Sequence, residues 1–199
     1  DSFWRFDGFH ETGMYSLGGE IEMRSGFRVS LSGGGRREGL QEPFEIFPGV
    51  VIPAGTYDTN GYFIFLNTGR GKRVSLFARI QGGGFFDGDQ LAFSPSVNVR
   101  FGESLSSQLS WQHNDIDLQG GSFETNLGRW RVTYAFSTSL ILQALVQYND
   151  VSDDVSTNLR FSWLAQANPG LFVVYTEEQN TDPLRPDRFA ELSNRGFVV

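Results

Sequence analysis

The sequence predicts an all-β protein, an antiparallel up-and-down transmembrane β-barrel with about twelve strands in this chain and room for more in the full protein. Three observations predict it. Apolar and polar residues alternate with period two from end to end. The alternating segments run roughly 9–11 residues, the length a tilted strand needs to cross a bilayer, whereas strands of soluble domains run about 5–6. Short connections alternate with longer, more polar ones, as periplasmic turns alternate with extracellular loops.

Composition agrees. The 199 residues are 39% hydrophobic and 20% charged, so the chain is not disordered, and its 24 glycines and 19 phenylalanines suit a turn-rich β protein. No apolar run reaches the length of a transmembrane helix. A barrel buries only alternate residues in lipid, so its mean hydropathy hides the membrane. With no cysteine, disulfides and thiolate metal sites are excluded. A net charge of −7 opposes nucleic-acid binding, which needs a basic surface.

The strands follow in order. Ser2 to His10 is read as the first. Tyr15, Leu17, Gly19, Ile21 and Met23 then oppose Ser16, Glu20, Glu22 and Arg24, and Phe27, Val29 and Leu31 oppose Arg28, Ser30 and Ser32. Leu91, Phe93, Pro95, Val97, Val99 and Phe101 oppose Ala92, Ser94, Ser96, Asn98 and Arg100. Leu105, Leu109, Trp111 and His113 oppose Ser106, Gln108, Ser110 and Gln112. Phe123, Thr125 and Leu127 run in one phase and Trp130, Val132, Tyr134 and Phe136 in the other, which predicts a bulge near Gly128. Leu140 to Tyr148, Val155 to Ala165 and a short last strand from Arg195 to Val199 complete the series. The incomplete last strand suggests a C-terminal piece of a longer protein, a single barrel domain over 1–199 with both ends periplasmic.

Short turns are expected at Ser25–Gly26, Thr68 to Arg73, Gly102 to Ser104, Ser137–Thr138 and Ala167 to Gly170. Long loops are expected at Arg36 to Asp58, Gly84 to Asp89, Asn114 to Gly121, Asp150 to Asp154 and Asn180 to Asn194, the last with a helical turn near Phe189. The glycine triplets at 33–35 and 82–84 read as loop entries, since neither has the helix or Lys-Ser/Thr of a phosphate loop.

The mid-strand charges Glu20, Glu22, Arg24, Arg28, Arg79, Arg100, Arg131 and Arg160 fall on the polar phase and are candidates to line, or by pairing to plug, a lumen. The aromatics Phe27, Tyr62, Phe101, Trp111, Phe136, Tyr148 and Trp163 lie near strand ends and are candidate interface girdles. Asp115 with Asp117, Asp87 with Asp89, and Asp150 with Asp153 and Asp154 are oxygen-rich pairs and clusters able to hold calcium or bridge to lipopolysaccharide phosphates, although none has EF-hand spacing. His113, beside Trp111, reads as an interface anchor. A lipid-facing Ser/His hydrolase would need a serine on the adjacent strand, and Ser107 shares the histidine's own strand. No catalytic set and no cofactor site is expected.

Four segments carry a family resemblance: EPFEIFPGVVIPAGTY (Glu42 to Tyr57), HNDIDLQGGSFETNL (His113 to Leu127), LQALVQYNDVSDDVSTNLRFSW (Leu142 to Trp163) and NPGLFVVYTE (Asn168 to Glu177). They resemble the C-terminal region of bacterial proteins whose N-terminal domain is similar to family 9 carbohydrate-binding modules. That resemblance implies an outer-membrane barrel that anchors or accompanies a glycan-binding periplasmic domain, with or without conducting small solutes. The expected surroundings are outer-membrane lipid, lipopolysaccharide and other envelope proteins. The alternatives are a soluble lipocalin-like binding module with the faces inverted, and an accessory barrel subunit of a larger outer-membrane complex.

Overall fold

The computed structural model describes residues 2–4, 10–69, 71–164, 171–181 and 191–198. The strands are β1 (Ser2–Trp4), β2 (His10–Glu22), β3 (Arg28–Leu40), β4 (Phe44–Phe47), β5 (Val50–Ile52), β6 (Gly55–Asn67), β7 (Val74–Phe85), β8 (Gly88–Phe101), β9 (Leu105–Leu118), β10 (Gly121–Ala135), β11 (Leu140–Asn149), β12 (Asp154–Trp163), β13 (Leu171–Asn180) and β14 (Glu191–Val198). Among the described residues twelve of these form one sheet in the order β1-β2-β3-β6-β7-β8-β9-β10-β11-β12-β13-β14, while β4 pairs with β5 in a separate hairpin. The chain is thus an all-β antiparallel meander with one hairpin inserted between β3 and β6. No helix occurs among the described residues, and none is long and apolar enough to cross a membrane.

Contacts within the chain cluster into two units. The first comprises Asp1–Gly69, Phe77–Ser94 and His113–Glu124; the second comprises Arg70–Leu76, Pro95–Gln112 and Thr125–Val199. In each, the register sorts side chains onto two chemically different faces. Directly paired residues of antiparallel strands share a face, so a pairing list reads a face across the sheet. In the first unit Ile21 pairs with Val29, Val29 with Leu66 and Leu66 with Ala78, and one step along Leu31 pairs with Ile64 and Ile64 with Ile80. In the second unit Tyr134 pairs with Leu142, Leu142 with Phe161 and Phe161 with Val173. The alternate positions are polar: Glu22 with Arg28 and Asn67, and Thr133 with Gln143 and Arg160.

The apolar face is not a core. Among the described residues only Val50, Ile52, Ala92, Ile116 and Leu118 are buried hydrophobics, against thirty large hydrophobics that stand exposed. A water-soluble domain places most of its large aliphatic side chains inside. The small core that exists belongs to the inserted hairpin. Val50 and Ile52 of β5 pack on Ile116 and Leu118 of β9, with Leu40, Phe47, Tyr57 and Phe123 around them.

Several sequence expectations change here. Three of the expected long loops are largely strand: β7 and β8 are joined by the two residues Phe86–Asp87, β9 and β10 by Gln119–Gly120, and the segment 36–58 contributes the ends of β3 and β6 and the whole hairpin. The chain stays extended there because β4 and β5 cover the sheet and give its side chains a core to enter. The alternation of short turns with long loops therefore does not hold. The bulge near Gly128 is absent, since β10 pairs with β11 without a register shift from Leu127 to Ala135. Phe123 is out of phase with Trp130 because it lies on the other face, stacked on Phe47 at 4.4 Å between ring centroids. The strands also exceed the expected length, reaching 15 residues in β10.

The glycine triplets are mid-strand rather than loop entries. Tyr15 pairs with Gly35 and Tyr62 with Gly82, and each ring lies over the facing glycine. A Cβ at Gly35 would come within 2.5 Å of the Tyr15 ring, and one at Gly82 within 2.5 Å of the Tyr62 hydroxyl. The expected turn Ala167 to Gly170 and the helical turn near Phe189 lie outside the described residues, as do most of the expected first strand and of the loop from Asn180 to Asn194.

Candidate functional site

Two surfaces are candidates for function: the polar face of the sheet and the exposed apolar face behind it. On the polar face of the first unit, antiparallel pairing sets Glu22 opposite Arg28 and Glu20 opposite Ser30. The Arg28 guanidinium then reaches both carboxylates, with Nε 3.2 Å from Glu20 and Nη2 donating to Glu22 at 2.8 Å, while Ser30 donates to Glu20 at 2.7 Å. Arg24, expected beside them, sits in the turn before β3 with Phe27. Farther along, Arg79 donates to Gln81 at 2.7 Å and lies 5.9 Å from the centroid of Phe63. In the second unit Arg160 stands 5.4 Å from the Phe172 ring centroid, Arg100 donates to the Lys72 carbonyl at 3.1 Å, and Arg131 pairs with Leu145. Seven of the eight predicted charges are on polar-face strand positions; Arg24 is the exception.

Sequence reasoning missed that this face carries aromatics. Phe63 and Phe65 take polar-face positions on β6, in register with Gln81 and Arg79. The run Tyr62–Phe63–Ile64–Phe65–Leu66 is apolar in both phases, so parity could not assign its faces. Within the first unit Phe63 borders a cavity of about 210 Å³, whose lining includes the polar residues Arg36, Glu38, Thr59, Gln81 and Gln90 and the aromatic residues Tyr57 and Phe85. Arg36 and Glu38 form an ion pair at 2.7 Å, two positions apart and thus on one face. Tyr57 donates its hydroxyl to the Pro53 carbonyl at 2.7 Å. Burial raises the Tyr57 pKa above the ordinary tyrosine value, and the charge of Asp87 adds to it.

Of the predicted aromatics, Tyr62, Trp111, Tyr148 and Trp163 lie on apolar-face strand positions, while Phe27 precedes β3 outside any strand. Trp111 donates its indole N–H to Asn126 at 3.2 Å and stands 44% exposed. Tyr148 pairs with Gly128 and Val155, Trp163 with Leu140 and Leu171, and Tyr62 with Gly33 and Gly82. Phe101 ends β8, and Phe136 follows β10 with its ring 4.6 Å from that of Tyr134. Trp130 donates to the Ser107 hydroxyl at 3.0 Å, so that serine's oxygen is an acceptor for an indole.

The acidic candidates are dispersed. Asp115 and Asp117 are strand residues of β9, exposed on the face that carries Trp111 and His113, while Ile116 and Leu118 between them enter the hairpin core. Arg37 and Asp58, also beyond the apolar band, form a two-pronged pair at 2.6 Å for both contacts, which raises the Arg37 pKa first through the hydrogen bond and then through the carboxylate charge. Asp87 lies in the two-residue turn and Asp89 on β8. Asp150 accepts from the Asn126 backbone at 2.6 Å and its amide at 2.7 Å; Asp153 is in the turn with φ of 50°, and Asp154 accepts from Asn180 at 3.4 Å. Among the described residues no three acidic, histidine or cysteine side chains converge as a metal cage.

By fold, then, the chain is an antiparallel β-meander with an exposed apolar face and a hydrogen-bonded polar face. No family model, curated protein or solved structure matches it.

Proposed function

We propose that this chain is an outer-membrane β-barrel of a bacterial envelope, its apolar face against lipid and its polar face lining the interior, acting as the anchor or small-solute path of a protein with a glycan-binding periplasmic domain. One observation carries the reading: thirty large hydrophobic side chains are exposed against five buried ones among the described residues, and register gathers many of the exposed ones, such as Leu17, Ile21, Leu31, Tyr62, Tyr134, Leu142 and Trp163, onto one face of their strands. On β8 the band runs from Leu91 to Phe101, ten strand steps, or ~33 Å along the strand and about 25 Å across a membrane at the usual tilt. That equals the apolar band of known outer-membrane barrels. The girdle aromatics Tyr62, Trp111, Tyr148, Phe101, Phe136 and Trp163 then sit at headgroup depth, the termini face the periplasm, and Arg37, Asp58, Asp115 and Asp117 meet water and lipopolysaccharide. The reading assigns the chain no catalytic step.

The test is folding in detergent micelles or vesicles, read as β-structure by circular dichroism and as a heat-dependent shift on SDS gels. A chain that folds and stays monomeric in detergent-free buffer overturns the proposal. Conductance in planar bilayers separates solute path from anchor, with Arg28 held between Glu20 and Glu22 favouring a narrowed interior.

A further inference from the structure

From the cavity in the first unit we infer a binding site for a single neutral sugar ring. The cavity lies wholly within that unit, bordered by β2, β3, β6 and β7 and the start of β8, and its volume of about 210 Å³ falls below the roughly 300–1,000 Å³ of sites for drug-sized ligands. It suits one ring rather than an oligomer. Its lining combines two chemistries. Tyr57, Phe63 and Phe85 offer carbon-rich aromatic surface, the partner of the C–H face of a pyranose. The same lining includes Gln81 and Gln90, whose side chains are carboxamides, the hydroxyl residue Thr59 and the Arg36–Glu38 pair. Carboxamides and hydroxyls both donate and accept, as a ring of hydroxyl groups requires. The charges in that lining neutralise each other across 2.7 Å, which disfavours an ionic ligand.

Glycine makes the room. Gly34 and Gly61 occupy polar-face positions in the lining where a side chain would stand, on neighbouring strands in direct register. A Cβ at Gly34 would strike the Tyr15 backbone and one at Gly61 would lie 3.1 Å from the Gly82 carbonyl, so the floor stays at backbone level. The inference concerns the cavity alone and does not require the sheet to be in a membrane.

The experiment is saturation-transfer NMR and calorimetry on the folded full chain with glucose and N-acetylglucosamine as probes, and with citrate and arginine as charged controls. Saturable sugar binding is expected. Gln81→Leu and Gln90→Leu should each weaken it about three- to tenfold, the value of one neutral hydrogen bond. Arg37→Ala, outside the cavity, should leave it unchanged. Circular dichroism on each variant establishes that the sheet is intact. Absence of saturable sugar binding at millimolar concentration, tighter binding of either charged control, or wild-type affinity in both glutamine variants overturns the inference. Folding without detergent would defeat the membrane reading while leaving this result standing.

Discussion

Leu142 lies at the centre of the apolar face of the second unit, paired with Tyr134 on β10 and Phe161 on β12, and is 37% exposed. Replacing it with lysine separates lipid from water as the medium outside the sheet. If water covers Leu142, the substitution is an ordinary surface change within about 0.5 kcal/mol. If lipid covers it, two losses combine. The exposed third of a leucine surrenders about 1 kcal/mol of apolar transfer, and an ammonium near the middle of the hydrocarbon brings the whole cost to about 2–4 kcal/mol. The lower figure is roughly thirtyfold in the folding equilibrium. Leu145, three residues on, is the control. It faces the other way, between Arg131 and Asn158, and Leu145→Gln should stay within about 1 kcal/mol. The assay is reversible guanidinium unfolding from phospholipid vesicles, followed by tryptophan fluorescence. Equal stability for wild type and Leu142→Lys, or a larger loss for Leu145→Gln, would refute the assignment of faces.

Three further outcomes are expected. Ile52→Ala empties a fully buried position of the hairpin core and should cost about 2–5 kcal/mol, seen as faster hydrogen exchange in β4 and β5 with β11 and β12 unchanged. Gly82→Ala should destabilise by about 1–3 kcal/mol through overpacking against Tyr62; the Gly82→Ala, Tyr62→Leu double variant should cost less than the sum, and strict additivity would contradict the ring-over-glycine contact. The raised Tyr57 pKa implies a stability term complete below the unfolded value of about 10 and lost as pH climbs through the higher folded value. Tyr57→Phe should therefore blunt the alkaline loss of stability, and an unchanged alkaline melting profile would count against burial as its cause.

The parts of the fold legible in the sequence are those where a single residue's polarity reports its face. From Val155 to Trp163 apolar and polar residues alternate cleanly, and β11 pairs with β12 over ten positions without a shift. The hairpin was illegible because Pro43, Pro48, Gly49 and Pro53 punctuate it like a loop. Its partners were hidden by the same logic: in Asn114–Asp115–Ile116–Asp117–Leu118 the acids suggested an exposed loop, yet they are merely the outward half of a strand. The cavity was beyond parity altogether. Thr59, Gln81 and Gln90 come from three strands, and only the pairing of glycines at 34 and 61 leaves space between them.

β9 carries the membrane proposal on a single strand. Leu109 and Trp111 are exposed with Gln108, Ser110 and Gln112 behind them; a few residues on, Asp115 and Asp117 are exposed with buried Ile116 and Leu118 behind. An exchange of hydrophobic face along a strand takes either a bulge, which turns the side chains over, or a change in what covers each face. β9 alternates in exposure from Leu109 to Leu118, so the odd-numbered side chains stay on one face, and a change of medium along the strand is the account the membrane proposal gives. On the membrane reading both halves of the strand obey one rule. Toward Trp111 the outside is lipid and the inside is polar, and past His113 the outside is water and the inside is the hairpin core. A lipocalin-like module inverts the first half and would bury Trp111 and Leu109, which are exposed. On that same reading His113, between the last outward apolar residue and the first outward acid, lies where the hydrocarbon would end.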